Sequence, residues 1–530
     1  RYAQFYCGFT KKGFTQSTKK AQLHTEFSKL YADRQVNYTS VITALIPAVQ
    51  GVDIYIFKGE NITDVVSEYN MFAGGGCEVP MWGLGNLYRC HAQFNSAQVL
   101  EMAHDIRSLG IPCDMLGLEP GWQSCAYSSS FVWDSTRFSD WQAMLEKLRD
   151  DGFRVNLWEH AFVHPTSPLY EKLLDHSGDY TVWNGLVPDF AMQQTRDIFA
   201  AHHKDFEKHG VAGYKLDECD GSDYTGNWTF PECAAFPSGL DGEQYHSLFG
   251  ILYGKAMLGA LTKRTLGEVR NSGSLAAPYP YVLYSDLYDH NDFIRGVATS
   301  SLSGLLWSPE VRHAQNRNDM IRRVQTVVFS VQSLINAFYL DKMPWIDLDC
   351  TEEVKKYLRL RMSFVPYLYE AFEQYRTTGK APVRALVSDY TTDAQTYQIW
   401  NEYLFGDSII VAPMTMDEKK RSVYLPDGEW YGFFDRKKYS GSFEIETDEI
   451  PVFVKAGSII PLAEPVDHIA SDTVFNMTLM CYGNTQDAKA RLVEDDFEAP
   501  GAPRRIIELT DKTSNVDSYR YTIAGTERII

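Results

Sequence analysis

The spacing of apolar residues changes character twice along the 530 residues of this chain. Over residues 1–70 apolar and polar positions alternate in short runs such as VITALIPAV and VDIYIF, a period of two that predicts β structure. From about residue 74 the rhythm becomes short apolar strands separated by amphipathic helices. Strands are expected at MWGLGNL (81–87), CDMLGLE (113–119), RVNLWEH (154–160), AGYKLDE (212–218), RTLGEVR (264–270), YVLYSD (281–286), GLLWSPE (304–310) and SLINAFYL (333–340). Helical patterns lie between them, among them SAQVLEMAHDIRSLG, WQAMLEKLRDDG and EQYHSLFGILYGKAMLGAL, the last with Leu248, Ile251, Leu252 and Leu258 on one face. A helical stretch at 352–375 closes this region. After Pro382 the alternation returns, punctuated by Gly, Pro and Asp as in RSVYLPDGEWYGFF and IPVFVKAGSIIP, which implies one or two β-sandwich domains.

Eight strands with intervening helices over roughly 300 residues match the size of a (β/α)8 barrel. A doubly wound sheet is the alternative, but no GxGxxG or phosphate loop follows the first strand. The expected fold is therefore α/β: a (β/α)8 TIM barrel flanked by β-sandwich domains. In that register a polar residue ends nearly every strand: Glu119, Glu159 or His160, Asp217, Arg270, Asp286, Glu310 and Asn336. Any one of these is readily read as a cap or an ion-pair partner. Seven in phase point into one bowl, because buried charges without function are costly.

The densest cluster is VAGYKLDECDG (211–221), where an apolar run ends in Lys215, Asp217, Glu218 and Asp220. Asp217 on the fourth strand and Asp286 on the sixth would flank a bound molecule. Glycoside hydrolysis needs such a pair, one carboxylate to attack the anomeric carbon and one to protonate the leaving oxygen. Lys215, two residues before Asp217, shares its face of the strand. Its charge would hold Asp217 ionised, as a nucleophile must be. Asp286 stands between Tyr284 and Tyr288, where partial burial would raise its pKa toward that of an acid, with Asp289 as a further like charge. Trp122, Trp158 and Trp307 are candidates for apolar walls against a sugar, ordinary core packing being the alternative for each. Two other readings stay open: Lys215 as a Schiff-base lysine in an aldolase-like barrel, and a carbohydrate-binding protein without catalysis.

Composition narrows the partners. A formal net charge of −19 argues against nucleic acid or an anionic membrane surface, and no apolar run is long enough to span a bilayer. The nine cysteines are scattered without a CxxC pair, so neither a zinc site nor a disulfide framework is expected and a reducing, cytoplasmic compartment is favoured. The chain begins at Arg1 without a Met or a signal-like segment, and reads as a fragment.

Several segments carry a family resemblance. GVAGYKLDECD (210–220) is similar to the nucleophile motif G-(V/I)-(D/A)-G-(F/Y)-W-x-D-x-x-E of glycoside hydrolase family 31, with Lys215 at the Trp position and Asp220 in place of Glu. SDLYDHNDFIR (285–295) resembles its acid/base motif G-D-N-x-x-x-W-x-x-L-R, Asp286 falling on the acid and Ile294-Arg295 on the Leu-Arg pair. Arg270 takes the place of the family's substrate-binding Arg sixteen residues before the acid. FVWDSTRFSDWQAMLEKLRDDGFRV (131–155), FGDSIIVAP (405–413), RSVYLPDGEWY (421–431) and IPVFVKAGSIIP (450–461) extend the resemblance over about 70–465. It implies retaining, exo-acting hydrolysis of an α-glycoside without metal or organic cofactor, with Asp217 as nucleophile and Asp286 as acid/base. It also implies four domains: 1–73 as the tail of an N-terminal β-sandwich, 74–380 as the catalytic barrel, 381–465 as a proximal β-sandwich and 466–530 as a distal β domain.

The departures from the family concern the sugar. Its L-D-I-D-Y is replaced by Leu116-Gly117-Leu118-Glu119-Pro120, its D-I-G-G-F by Glu310-Val311-Arg312-His313-Ala314, and its R-N-H by Leu334-Ile335-Asn336. Lys215-Leu216-Asp217 is similar to the K-x-D of α-galactosidases in related families, where the Lys contacts sugar hydroxyls. The implied substrate-binding residues are Glu119, Trp122, Trp158, Lys215, Arg270, Trp307, Glu310 and Asn336. The implied substrate is an oligosaccharide or small glycoside with a terminal α-linked sugar, galactose first, with α-glucoside, α-xyloside and α-N-acetylgalactosaminide as alternatives.

Overall fold

In the computed structural model, which describes residues 2–8, 41–47, 53–221, 226–286, 288–510 and 519–522, parallel strands alternate with helices from Asn86 to Thr378. The parts of the expected N-terminal sandwich at 9–40 and 48–52, and of the distal C-terminal domain at 511–518 and 523–530, lie outside the described residues. The chain divides into two units, Arg1–Ile56 and Phe57–Ile530. In the first, β1 (Tyr2–Gly8) pairs antiparallel with β2 (Val41–Pro47). The VDIYIF segment takes no regular structure from residue 53 to 57, and Ile54 and Ile56 are exposed. Alternation becomes a strand only where a neighbour accepts its backbone hydrogen bonds. The next element is helix Ile62–Ala73, capped by the Asn61 side chain and belonging to the second unit.

The barrel strands are β3 (Asn86–Arg89), β4 (Met115–Leu118) and β5 (Arg154–His160). A hairpin of β6 (Ser177–Val182) and β7 (Gly185–Pro188) follows, and then β8 (Val211–Asp217), β9 (Gly267–Val269), β10 (Tyr281–Leu283) and β11 (Ser333–Asn336). Seven form one parallel sheet in the order β10-β9-β8-β5-β4-β3-β11. Parallel bridges from Trp307 to Leu283 and from Val311 to Ile335 join its two edges in the remaining strand position. The fold is thus the α/β TIM barrel followed by β-sheet domains.

Two strands differ from expectation. Met81–Leu84 is a buried 3-10 turn, and the first strand starts at Asn86. A short apolar run states burial without choosing a geometry. At GLLWSPE only isolated bridges form, since Pro309 has no N–H for a ladder. Helix Gly242–Leu258 also turns a different face inward. Leu248 is exposed, while Tyr245, Phe249, Tyr253, Ala256 and Met257 are buried, so the aromatic row outcompetes the leucines for the barrel wall.

Helix Thr351–Thr378 lies against strands Ser458–Ala463 and Lys489–Glu494 of the C-terminal sheets. Strands between Val383 and Lys455 form a six-stranded antiparallel sheet. Among the described residues no helix is long and apolar enough to cross a membrane.

Candidate active site

Strand alternation selects what faces the barrel interior. In β8, Lys215 and Asp217 point inward, while Tyr214 packs outward against His203 of helix Gln193–Lys208. In β5, Trp158 points inward. Glu159 points outward, accepting hydrogen bonds from Tyr253 (2.7 Å) and lying 3.0 Å from His203, so it belongs to the helix packing. His160 returns inward, and burial lowers its imidazole to about 3, leaving it neutral.

At the C-terminal strand ends a cleft of about 380 Å³ is lined by Glu119, Trp158, Lys215, Asp217, Arg270 and Asp286, with Tyr127, Glu218, Trp228, Arg312, Phe338 and Tyr339 completing its walls. Asp217 is oriented on both oxygens. The Trp158 indole N–H donates to Oδ2 at 2.7 Å and the Glu218 backbone N–H to Oδ1 at 2.8 Å. Burial pushes the Asp217 carboxyl up, but Lys215 and Arg270 outweigh it and hold the group below the usual carboxylate range.

Asp286 meets a different environment from the one expected. Its side chain is 39% exposed rather than enclosed by tyrosines. Arg270 Nη1 donates to Oδ2 at 2.6 Å, while Arg312 Nη2 and the Tyr288 hydroxyl each donate to Oδ1 at 3.0 Å. Tyr284 is buried on the Lys215 side, with Nζ 4.4 Å from its ring centre. Asp289 caps helix His290–Thr299 through the Asn291 and Asp292 N–H groups and so spends its charge there.

Arg270 ties the site together. The same Nη1 that reaches Asp286 at 2.6 Å lies 3.5 Å from Asp217 Oδ1, and Nε donates to Asp220 at 3.1 Å. The nearest oxygens of Asp217 and Asp286 are therefore no farther apart than those first two distances combined.

Below the cleft runs a buried ionic network. Lys215 Nζ donates to Glu310 Oε1 at 2.7 Å and lies 3.6 Å from Glu119 Oε1. Arg89, fully buried, pairs with Glu119 and, at 3.1 Å, with Glu268. Arg312 joins the network to Asp286, its Nε donating to Glu310 Oε2 at 3.0 Å. Burial would raise the Glu310 carboxyl, yet Lys215 and Arg312 hold it at about 2.

Four of the expected sugar contacts do not line the cleft. Trp122 is buried beneath β5, its N–H donating to Trp158 O at 2.6 Å and its ring packed on Trp133 and Phe206. Trp307 turns outward onto helix His290–Thr299, where a Cβ on Gly296 would come within 2.5 Å of its ring. Asn336 is buried behind Glu310, to which Nδ2 donates at 3.2 Å. Glu310 itself is fully buried and reaches the cleft only through Lys215 and Arg312.

Glu218, named in the charged cluster without a role, lines the cleft, and the residues not anticipated are Arg89, Tyr127, Trp228, Arg312, Phe338 and Tyr339. Arg312 had a signal, since it follows Glu310 by two and so shares its side of an extended segment. Arg89 was hidden by the misplaced first strand. Tyr127 and Trp228 sit in loops without periodicity, where only the fold brings them to one wall.

Comparison with known proteins gives two family matches. Residues 77–371 match "Glycosyl hydrolases family 31 TIM-barrel domain" and residues 379–460 match "Glycosyl hydrolase family 31 C-terminal domain". Alpha-glucosidase 2 of Bacillus thermoamyloliquefaciens is 25% identical over 78% of this chain and 57% of its own length. The alpha-xylosidase XylQ of Lactiplantibacillus pentosus is 24% identical over 82% of this chain and 61% of its own. A dextranase structure from Flavobacterium johnsoniae, complexed with glucose, superposes with a TM-score of 0.76 at 21% identity, covering 85% of this chain and 62% of that one. The chain thus spans about three fifths of the length of these relatives.

Proposed function

This chain belongs to glycoside hydrolase family 31, and from that premise we propose that it is a retaining α-glycosidase with Asp217 as nucleophile and Asp286 as acid/base. The observation that carries the reading is Arg270 Nη1 within reach of both carboxylates. A shared guanidinium nitrogen favours the carboxyl separation of roughly 5–5.5 Å of retaining pairs over the about 6.5–9.5 Å that inverting enzymes need to admit water. Asp217, held ionised and aimed by Trp158 and the Glu218 N–H, attacks the anomeric carbon. Asp286 gives a proton to the departing oxygen, then takes one from the water that releases the sugar. To carry that proton, an Asp286 oxygen exchanges a guanidinium partner for it, and the exposure of the side chain leaves room for the exchange.

For the terminal sugar we propose an α-galactoside. Support comes from Glu119-Pro120 at the second strand and Lys215 at the nucleophile strand, where the family's α-glucosidases differ. A pocket built for one hydroxyl pattern leaves polar groups unpaired with another. The names of the relatives favour α-glucoside or α-xyloside as the second reading. A panel of p-nitrophenyl α-galactoside, α-glucoside, α-xyloside and α-N-acetylgalactosaminide decides among them, and a faster glucoside would overturn the galactoside. Labelling by a 2-deoxy-2-fluoroglycosyl reagent tests the mechanism: a covalent sugar on Asp217 is expected, and one elsewhere, or a product of inverted configuration, would overturn it.

A further inference from the structure

Glu218 breaks the alternation of its strand. With Lys215 and Asp217 facing the cleft, residue 218 of a continuing strand would face the helices. It lines the cleft instead, because its backbone turns into the left-handed region with φ 51°. That conformation is unfavourable for a residue with a Cβ, and such outliers concentrate at functional sites. The turn places two consecutive carboxyls in one cavity. Glu218 is only 6% exposed, and among the described residues its carboxyl makes no hydrogen bond or ion pair. The charged groups around it are Asp217, Asp220 and Asp286 against Arg270, with the Tyr127 hydroxyl on the adjoining wall. Burial, and then the negative charge of Asp217, push its acid up to about 8 despite Arg270.

We propose that Glu218 is a further substrate-contacting residue, a neutral carboxylic acid that donates a hydrogen bond to a sugar oxygen beside the anomeric carbon. This rests on the glycosidase reading and deepens it. A carboxyl that has no partner among the described residues of a buried polar site is a donor awaiting an acceptor. Ionised, it would stand among three other carboxylates with Arg270 opposing them, and it would repel the sugar oxygens it faces. The same neutrality spares Asp217 a second negative charge at its flank.

The test compares wild type, Glu218→Gln and Glu218→Ala for kcat/KM across pH 5–9 (roughly the span within which both carboxyl states are sampled) on the best substrate of the panel. It also compares the affinity of each for the released monosaccharide by calorimetry, with thermal melts as a check on folding. Glu218→Gln keeps a donor and cannot ionise, so it is expected to stay within about threefold of wild type and to lose the fall in activity near pH 8. Glu218→Ala is expected to lose about 10- to 100-fold in kcat/KM and to bind the monosaccharide correspondingly more weakly. An alanine variant within about threefold of wild type by both measures, or a glutamine variant as impaired as alanine with the alkaline fall unchanged, would overturn the proposal. Fluorosugar labelling of Asp217 in wild type reports on the glycosidase reading separately. If wild type binds a sugar but cleaves none, that reading fails and the affinity comparison still decides the role of Glu218.

Discussion

Lys215 Nζ donates to Glu310 Oε1 at 2.7 Å across the barrel interior, and both side chains are buried. The ammonium that was expected to touch the sugar is thus first a partner of the protein's own carboxylates. An amine placed between Glu310 and Glu119 is poorly suited to attack a carbonyl, which argues against the Schiff-base reading. Its charge beside Asp217, the proposed nucleophile, remains the first electrostatic reason that this carboxyl is held below the usual range.

Removing Lys215 should therefore act twice. In Lys215→Met, Glu310 and Glu119 lose a buried cation, a change expected to cost about 3–5 kcal/mol in urea denaturation. Asp217 then keeps its burial, opposed by Arg270 and the N–H donors of Trp158 and Glu218 without the ammonium, so its pKa rises and the acid limb of kcat/KM moves to higher pH. A profile whose acid limb does not move would take Lys215 out of the electrostatics of the nucleophile.

Asp286 is best tested by the leaving group. Asp286→Ala should lose about 10²- to 10⁴-fold on an alkyl α-glycoside, the usual worth of general acid catalysis. An α-glycosyl fluoride departs without a proton and should suffer far less. Equal losses on both substrates would mean that Asp286 is not the proton donor.

Gly117 makes room for the network. A Cβ there would lie 2.7 Å from Arg89 Cγ and 2.8 Å from Cζ, so Gly117→Ala forces the buried guanidinium aside. Overpacking of this kind costs about 1–3 kcal/mol. Because Arg89 holds Glu119 at the cleft floor, KM should rise as well, and unchanged kinetics together with lowered stability would confine Arg89 to a scaffold role.

Asp114 gives a pH signature away from the cleft. Fully buried just before β4, it accepts from the Ile469 N–H at 2.7 Å, and burial raises its acid to about 7. Its folded pKa exceeds the unfolded one. The stability it contributes is thus complete below about pH 4, where the unfolded carboxyl titrates, and is lost as pH rises toward 7. The stability of wild type relative to Asp114→Asn should accordingly decline by up to about 1.4 kcal/mol per pH unit in that window and level off above it. Denaturation midpoints of both proteins at several pH values measure this, and a constant difference would contradict it.

Sequence alone determined the order of elements, because period-two and helical spacing are properties of consecutive residues. β5 and β8 are legible almost to the residue, since each carries a long apolar run ending in charge. Asp217, Lys215 and Asp286 were legible for the same reason, lying at the ends of readable strands. What tertiary structure decided is the partner of each charge and the direction of each large ring. Nothing local says that Lys215 meets Glu310, that two arginines converge on Asp286, or that Trp307 turns outward onto Gly296. Those contacts join different elements of the barrel, and their energies depend on a distance and a dielectric that exist only once the barrel has closed. Glu218 marks the boundary most sharply. Its charge is plain in the sequence, but a single left-handed backbone turn put it inside the cleft.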